Sequence, residues 1–575
     1  MPERCASKLA SALAVALLAF AAPAASAAAG GSSSTAFSPV PPISEQGSLT
    51  VTSAHATAIA SRLAQVRALE RTHPGSFSQV TSPVSGEWQV AFYSREREFV
   101  QVIVSAADGS VLGVYTGFKI AWTMARGYPG AFGRHVNSLY VWLPLCLLFL
   151  APFFDWRRPW RVRNLDLLVL TSLSVSLAFF NHADIYQSVP LAYPPLLYLL
   201  VRLVWLARSG APRPPPLRLN FGPGWLALGL VALIAFRIGL NVEDSNVIDV
   251  GYANVVGAQK IIDGQPLYGQ FPASISRGDT YGPVSYEAYV PFVALWGFSG
   301  TWDQLPAAHA AAVCFDLLTI ALLLLLGWRI RGPSTGIVLA YAWAAFPFTA
   351  FALESNSNDG LVAALVVAAL LLASSPPARG AFAALAALTK FAPLALAPLL
   401  ATYRSRGHRA RTIAVFAVAF AAVAVAVSIP AFAHNTLATI FARSVQYQAD
   451  RSAPFSIWGL YGGLHTEQRI VQGLAVLLAL GLALQRRDDP ARLCAAAAAV
   501  LIAVQLGVTY WFYLYIPWFF APAIVPLLGS APLERRQRRR SRPRGSWLWW
   551  DAVRGAWFIG RRKRLLSGGR ERLVR

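Results

Sequence analysis

The stretch 306–331, PAAHAAAVCFDLLTIALLLLLGWRIR, decides the fold class: an apolar run of about twenty residues, interrupted only by His309 and Asp316, closes on Arg329 and Arg331. A helix of that length spans the roughly 30 Å hydrocarbon core of a bilayer, and paired arginines at its end read as a cytoplasmic anchor. Outward from it the pattern repeats. Apolar runs fall near 136–154, 165–180, 190–207, 224–240, 306–328, 335–353, 360–375, 412–430, 470–485, 491–507 and 510–528, eleven in all. With 55% hydrophobic and only 13% charged residues over 575 positions, the chain has too little polar surface for a soluble particle.

The net charge of +23 sits in short basic clusters between these runs and in the tail, which excludes a phosphate-binding face and follows the positive-inside rule. Arg157, Arg158, Arg161 and Arg163, then Arg208, Arg213 and Arg218, Arg329 and Arg331, Arg404 to Arg411, and Arg486 and Arg487 all fall on one side when eleven spans begin outside. The chain starts with Arg4, Lys8, an apolar run over 9–22 and Ala25-Ser26-Ala27, so 1–27 reads as a signal peptide and 28–48 as a flexible Ala/Gly/Ser/Pro linker. Two further stretches, 283–298 with Pro283 and Pro291 and 381–400 with Lys390, Pro393 and Pro398, read as partial or broken segments. Cys146, Cys314 and Cys494 lie apart in apolar runs, so neither a disulfide nor a metal site is expected.

Between linker and first span lies a small domain, 49–120. Ala58, Ile59, Leu63, Val66 and Leu69 predict one amphipathic helix over 53–70 ended by His73-Pro74-Gly75. Trp88, Val90 and Phe92, then Val100, Val102 and Val104, alternate as strands, and Asp108-Gly109 marks a turn before Val111 and Val114. This order resembles a PepSY-type domain. Linkers allow it to fold independently, so it is expected to be separable from any chemistry of the membrane part. The tail 531–575, with fifteen Lys or Arg among interleaved tryptophans after Glu534, is expected to adhere to anionic cytoplasmic lipid.

The long loop 241–281 is acidic and is expected outside, where Glu243, Asp244, Asp249, Asp263 and Asp279 face only Lys260 and Arg277. A carboxylate at the membrane–water boundary is placed to take a proton from an acceptor hydroxyl, although such acids also simply solvate a loop. The pattern Asp249-x-x-Tyr252, Asp263-Gly264-x-Pro266-x-Tyr268 and Tyr281-Gly282-Pro283 resembles the first outer loop of GT-C glycosyltransferases, most closely glycosyltransferase family 87, the polyprenyl-phosphate-mannose-dependent α-mannosyltransferases. Gly282 stands where that family usually has proline. The resemblance implies a cell-envelope enzyme of the plasma membrane: an all-α polytopic, GT-C-like protein of about eleven spans plus two partial segments over 136–530, with a small α+β N-terminal domain outside. It also implies an inverting mannosyltransferase that moves sugar from a polyprenyl-phosphate donor to a lipid or glycan acceptor, with no cofactor or metal.

Under that resemblance Asp249 is the catalytic base, and Tyr252, Asp359, Lys390, Arg443 and Arg451 bind substrate. Asp359 lies in the turn Glu354–Gly360, which departs from the family's Gly-Gln-x-Asn and can equally be a helix cap. Lys390 follows Gly380-x-x-x-x-Leu-Ala-Ala-Leu-Thr and precedes Pro393; a lysine in an apolar stretch costs a few kcal/mol unless it meets a polar cavity or snorkels. The loop 431–464 carries His434, Arg443, Gln446, Tyr447, Gln448, Asp450, Arg451 and Trp458, a set suited to phosphate and sugar that is expected to close over the site. His309 and Asp316 return to one face of their span and could mark a polar strip running inward from the outer mouth, with Asp316 a functional candidate; the simpler account pairs Asp316 with a neighbouring helix and His309 with interfacial water. A lipid transporter or flippase, or a non-catalytic sensor, remains the alternative, and nucleic-acid binding is disfavoured.

Overall fold

The computed structural model describes residues 51–529 apart from 82–85, 95–96, 122, 127–132, 209–216, 303–304, 405–407, 452 and 486–487. The expected signal peptide, linker and basic tail lie outside the described residues.

The N-terminal domain is an antiparallel meander, β1 (Phe77–Thr81), β2 (Glu87–Ser94), β3 (Arg97–Ser105) and β4 (Val111–Thr116), in that spatial order. Two helices, α1 (Ser53–Arg62) and α2 (Ala64–Thr72), cover it. Ala56, Ala60 and Val66 from the helices meet Val90, Phe92, Val100, Val102 and Val104 from the sheet in one buried core. The single helix expected over 53–70 is broken at Leu63, whose extended backbone (ψ 132°) lets Leu63 and Leu69 both pack on that core. The strand β1 was not expected, because an edge strand with mostly exposed side chains lacks the alternation that marks a half-buried one. Asp108 closes the β3–β4 turn by accepting from the Ser110 amide at 3.1 Å, and Gly109 there has φ +74°.

Beyond the domain the molecule is helical. Among the described residues, six helices are long and apolar enough to cross a membrane: α4 (Val162–Asn181), α5 (Ile185–Ala207), α6 (Pro223–Asp244), α10 (Pro306–Arg331), α16 (Arg409–His434) and α17 (His465–Leu484). The pair α11 (Pro333–Ala345) and α12 (Pro347–Glu354) is long and apolar enough only when taken together, and it is bent by 60° at Phe346-Pro347, as in a broken span or a re-entrant loop. The chain is a multi-pass membrane protein by these features. Four of the eleven expected runs form shorter apolar helices instead: α3 (Leu139–Leu150), α13 (Asp359–Leu371), α18 (Pro490–Leu506) and α19 (Ile516–Leu528), the last preceded by a 3-10 turn. A 13-residue helix such as α13 is about 20 Å long, short of a bilayer core.

Three of the short helices, α13, α18 and α19, are almost wholly buried among the others, whereas only 11% of the apolar window of α16 is. The two proline-bearing stretches are broken. Residues 283–298 form α8 (Pro283–Glu287) and α9 (Val290–Trp296), and 381–400 form the end of α14 (Pro376–Thr389), an extended Lys390, a 3-10 turn and α15 (Ala397–Thr402). The loop 241–281 contributes α7 (Asp249–Ile262), packed against α8 and α9.

A buried ion pair ties α6 to α10. Arg237 on α6, 1% exposed, donates from Nη2 to Asp316 Oδ1 on α10 at 2.6 Å and from Nε to Oδ2 at 3.1 Å. Trp343 Nε1 donates to the same carboxylate at 2.8 Å. His309 lies at hydrogen-bond distance from Ser245 (3.1 Å) and from Asn241 Oδ1 (3.2 Å), so it too is met by protein.

Candidate functional site

Asp249 opens α7 because the chain before it is stitched to the turn before α13. The Asn246 amide donates to the Glu354 carbonyl at 3.2 Å and the Ile248 amide to the Ser355 carbonyl at 3.3 Å. Asn356 Nδ2 donates to Ser245 Oγ (2.9 Å) and to the Asn246 carbonyl (3.1 Å), and Asn241 Nδ2 donates to Asn356 Oδ1 (3.0 Å). Gly251 permits this approach, since a Cβ there would stand 2.3 Å from the Asn356 carbonyl oxygen. Two acidic helix starts, Asp249 of α7 and Asp359 of α13, thereby reach one place.

That place is a cavity of about 410 Å³. Asp249, Asp359, Lys390 and Arg451 all line it, with Tyr281, Gln448, Gln505, Tyr510, Tyr515 and Trp518. Met124, Val445, Ala449, Val504, Val508, Phe512 and Leu514 supply an apolar side. Lys390 sits where α14 breaks, and its Nζ lies 2.6 Å from Asp359 Oδ1, which also accepts from Trp518 Nε1 at 2.9 Å. The ammonium is framed by the rings of Trp518 (5.1 Å), Tyr515 (5.4 Å) and Tyr281 (5.8 Å). Gly282 fits against this break, because a Cβ there would be 1.9 Å from the Leu388 carbonyl oxygen.

Arg451 follows the helical turn Tyr447–Asp450, and its guanidinium lies 3.8 Å from the centre of the Tyr510 ring. Asp249 is open to the cavity but walled by protein around it; burial pushes its carboxyl above the ordinary 3.8, against the opposing pull of Arg451 and Lys390. Burial likewise raises the Tyr281 phenol well above its ordinary value, helped by the charge of Asp249.

Two of the six expected residues are not brought to the cavity. The Tyr252 hydroxyl lies 3.2 Å from Ser274 Oγ and its ring stacks on Trp302 at 4.5 Å, leaving it 3% exposed. Arg443 donates from Nε to Asp279 Oδ2 at 2.8 Å, and the Gly269 amide donates to the same oxygen at 2.7 Å. With Asn435 bonded twice to the Tyr268 backbone (3.1 and 2.9 Å) and Gln448 to the Thr280 carbonyl (3.4 Å), this ion pair clasps the loop 431–464 onto the loop 241–281. Asp244 is held away from the cavity by His135 and Arg134.

The aromatic segment 510–518 went unnoticed because it reads as one more apolar run. Its turn is pinned by Gln505 and Ser456: Trp511 Nε1 donates to Gln505 Oε1 (3.1 Å), Gln505 Nε2 to the Tyr515 carbonyl (2.9 Å) and Ser456 Oγ to the Thr509 carbonyl (2.6 Å). The density of Tyr and Trp there, rather than Leu and Val, was the available signal.

No curated protein and no solved structure matches the chain. The family model described as glycosyltransferase family 87 matches residues 280–509, a stretch that contains Tyr281, Asp359, Lys390 and Arg451 and begins after Asp249. Over that stretch the chain is similar to glycosyltransferase family 87, which supports a membrane glycosyltransferase.

Proposed function

We propose that the protein is an inverting glycosyltransferase that moves a hexose, mannose by the resemblance, from a polyprenyl monophosphate to a hydroxyl of a lipid or glycan acceptor on the outer side of the plasma membrane. The observation that carries this reading is the meeting of one accessible carboxylate, Asp249, with two cations, Lys390 and Arg451, on a cavity that is apolar along one side. The acceptor oxygen attacks the anomeric carbon, the bond from that carbon to the phosphate oxygen breaks, and the hydroxyl proton passes to Asp249. A carboxyl whose pKa is raised toward working pH suits a general base.

Lys390 and Arg451 stabilise the charge that develops on the departing phosphate, and Arg451 can grip it in two places. Asp359 holds Lys390 in position. The phenols of Tyr281, Tyr510 and Tyr515 and the indole of Trp518 offer flat faces for a sugar ring. Tyr252 and Arg443 act on substrate only through the walls they support. Purified protein incubated with radiolabelled polyprenyl-phosphate sugars and membrane lipid extract should yield a new labelled lipid or glycan. No product from any such donor would sink the reading.

A further inference from the structure

The segment that leaves the N-terminal domain reaches the cavity. Thr123–Arg126 forms a single 3-10 turn just after the sheet, and Met124 on it lines the cavity, with Tyr510 donating its hydroxyl to Met124 Sδ at 3.7 Å. Tyr510 is the ring on which the Arg451 guanidinium stacks. Met124, Tyr510 and Arg451 therefore form one line of contact from the turn that follows the domain to a cavity cation.

Two residues on, the same turn is bolted to the domain. The Arg126 guanidinium lies 4.0 Å over the Tyr115 ring and donates to Gln101 Oε1 (2.5 Å) and to the carbonyls of Lys119 (2.9 Å) and Ile120 (3.3 Å). Gln101 and Tyr115 are register partners on β3 and β4, so the clamp grips the paired part of the sheet, where Gln101 is only 5% exposed. Further along, the Gly133 amide donates to Asn246 Oδ1 at 2.7 Å, three residues before Asp249. The chain leaving the domain is thus fastened to the sheet at one end and to the approach to Asp249 at the other.

We infer that this domain, by anchoring the turn that follows it, sets one wall of the transfer site: Arg126 is a positioning residue that, through Met124 and Tyr510, sets the guanidinium of Arg451. The expectation that the domain is separable from catalysis is replaced by this reading, which rests on the proposed transferase activity only for its kinetic consequence. Exchange of Arg126 touches no cavity atom, so any effect on transfer has to pass through the turn it anchors.

The test uses the full chain in nanodiscs with its four native cysteines replaced by alanine and Met124→Cys added. The introduced thiol should react slowly with a water-soluble maleimide, and Arg126→Ala should speed its labelling about tenfold by letting the turn leave its seat. In the chain with Met124 intact, Arg126→Ala should lower kcat for transfer about tenfold or more with the donor KM little changed, as expected for a displaced transition-state contact. Arg126→Lys, which keeps a cation over Tyr115 and a donor to the carbonyls, should recover much of both.

Equal labelling with and without Arg126 would overturn the inference, as would faster labelling with kcat unchanged. Loss of kcat in Arg126→Ala that Arg126→Lys does not relieve would overturn the positioning role. If the unaltered chain transferred no sugar at all, the transferase reading would fail by itself, and the labelling comparison would still decide whether the domain seats Met124 in the cavity.

Discussion

Asp249→Asn is the substitution that separates chemistry from architecture in this site. The Asp249 carboxylate accepts from the Val250 amide, a bond an asparagine oxygen can keep, and it otherwise feels Arg451 and Lys390 through space. Loss of a general base lowers kcat by about 100-fold to 10,000-fold, equivalent to about 3–5 kcal/mol of barrier. Binding of the donor, which relies on the cations, should change little. Because burial raises this carboxyl in the folded chain above its unfolded value, the folded form holds a proton that the unfolded form has lost between those two values. Stability therefore falls as pH rises through that window, and Asn should be at least as stable as Asp at neutral pH. For the unaltered enzyme, kcat/KM should fall as pH drops through the raised pKa, with its acid limb above the ordinary carboxylate value of 3.8. The assay is initial-rate transfer from a labelled polyprenyl-phosphate sugar, beside a thermal melt in the same detergent. Asp244→Asn, which alters a carboxylate tied to Arg134 and His135 away from the cavity, should be mild. If Asp249→Asn kept a tenth or more of the rate, or Asp244→Asn were the inactive one, the assignment of the base would be refuted.

Lys390→Met leaves Asp359 fully buried without its cation and should cost about 3–5 kcal/mol in a chemical melt. Adding Asp359→Asn should restore much of that stability but none of the transfer. Tyr252→Phe should turn over near the normal rate, since its hydroxyl meets Ser274 rather than the cavity, while Arg443→Ala, which strands Asp279, should slow transfer by loosening the clasp between the two loops; kcat for the pair measures this. Gly251→Ala forces α7 away from the Asn356 carbonyl and should cost about 1–3 kcal/mol, with a parallel drop in kcat visible even in protein that still melts cooperatively.

Much of this arrangement is legible in the sequence where one residue type in an apolar context has few physical options. Lys390 between prolines and Asp359 after a run of small polar residues both had to find a polar environment, and they found each other. Asp316 had to be paired, but its partner was hidden: Arg237 sits inside the run 224–240, where a single arginine among apolar neighbours looked tolerable. Run length alone also does not give helix length, since the runs holding α13, α18 and α19 form shorter helices that are apolar on nearly every side because protein surrounds them. Met124 was invisible for a different reason. Nothing local marks a methionine as part of a cavity whose other walls lie more than a hundred residues away.

The Arg237–Asp316 pair bears on how the chain is made. The helix with Arg237 leaves the ribosome well before the helix with Asp316, and a lone arginine near the middle of a helix costs about 2.5–3.5 kcal/mol to release into lipid. Until its partner emerges, α6 has reason to stay at the insertion machinery or against a chaperone. A nascent chain halted between residues 244 and 306 should therefore be retained there and degraded, and biogenesis of the bundle has a checkpoint at the fourth long helix to appear, α10.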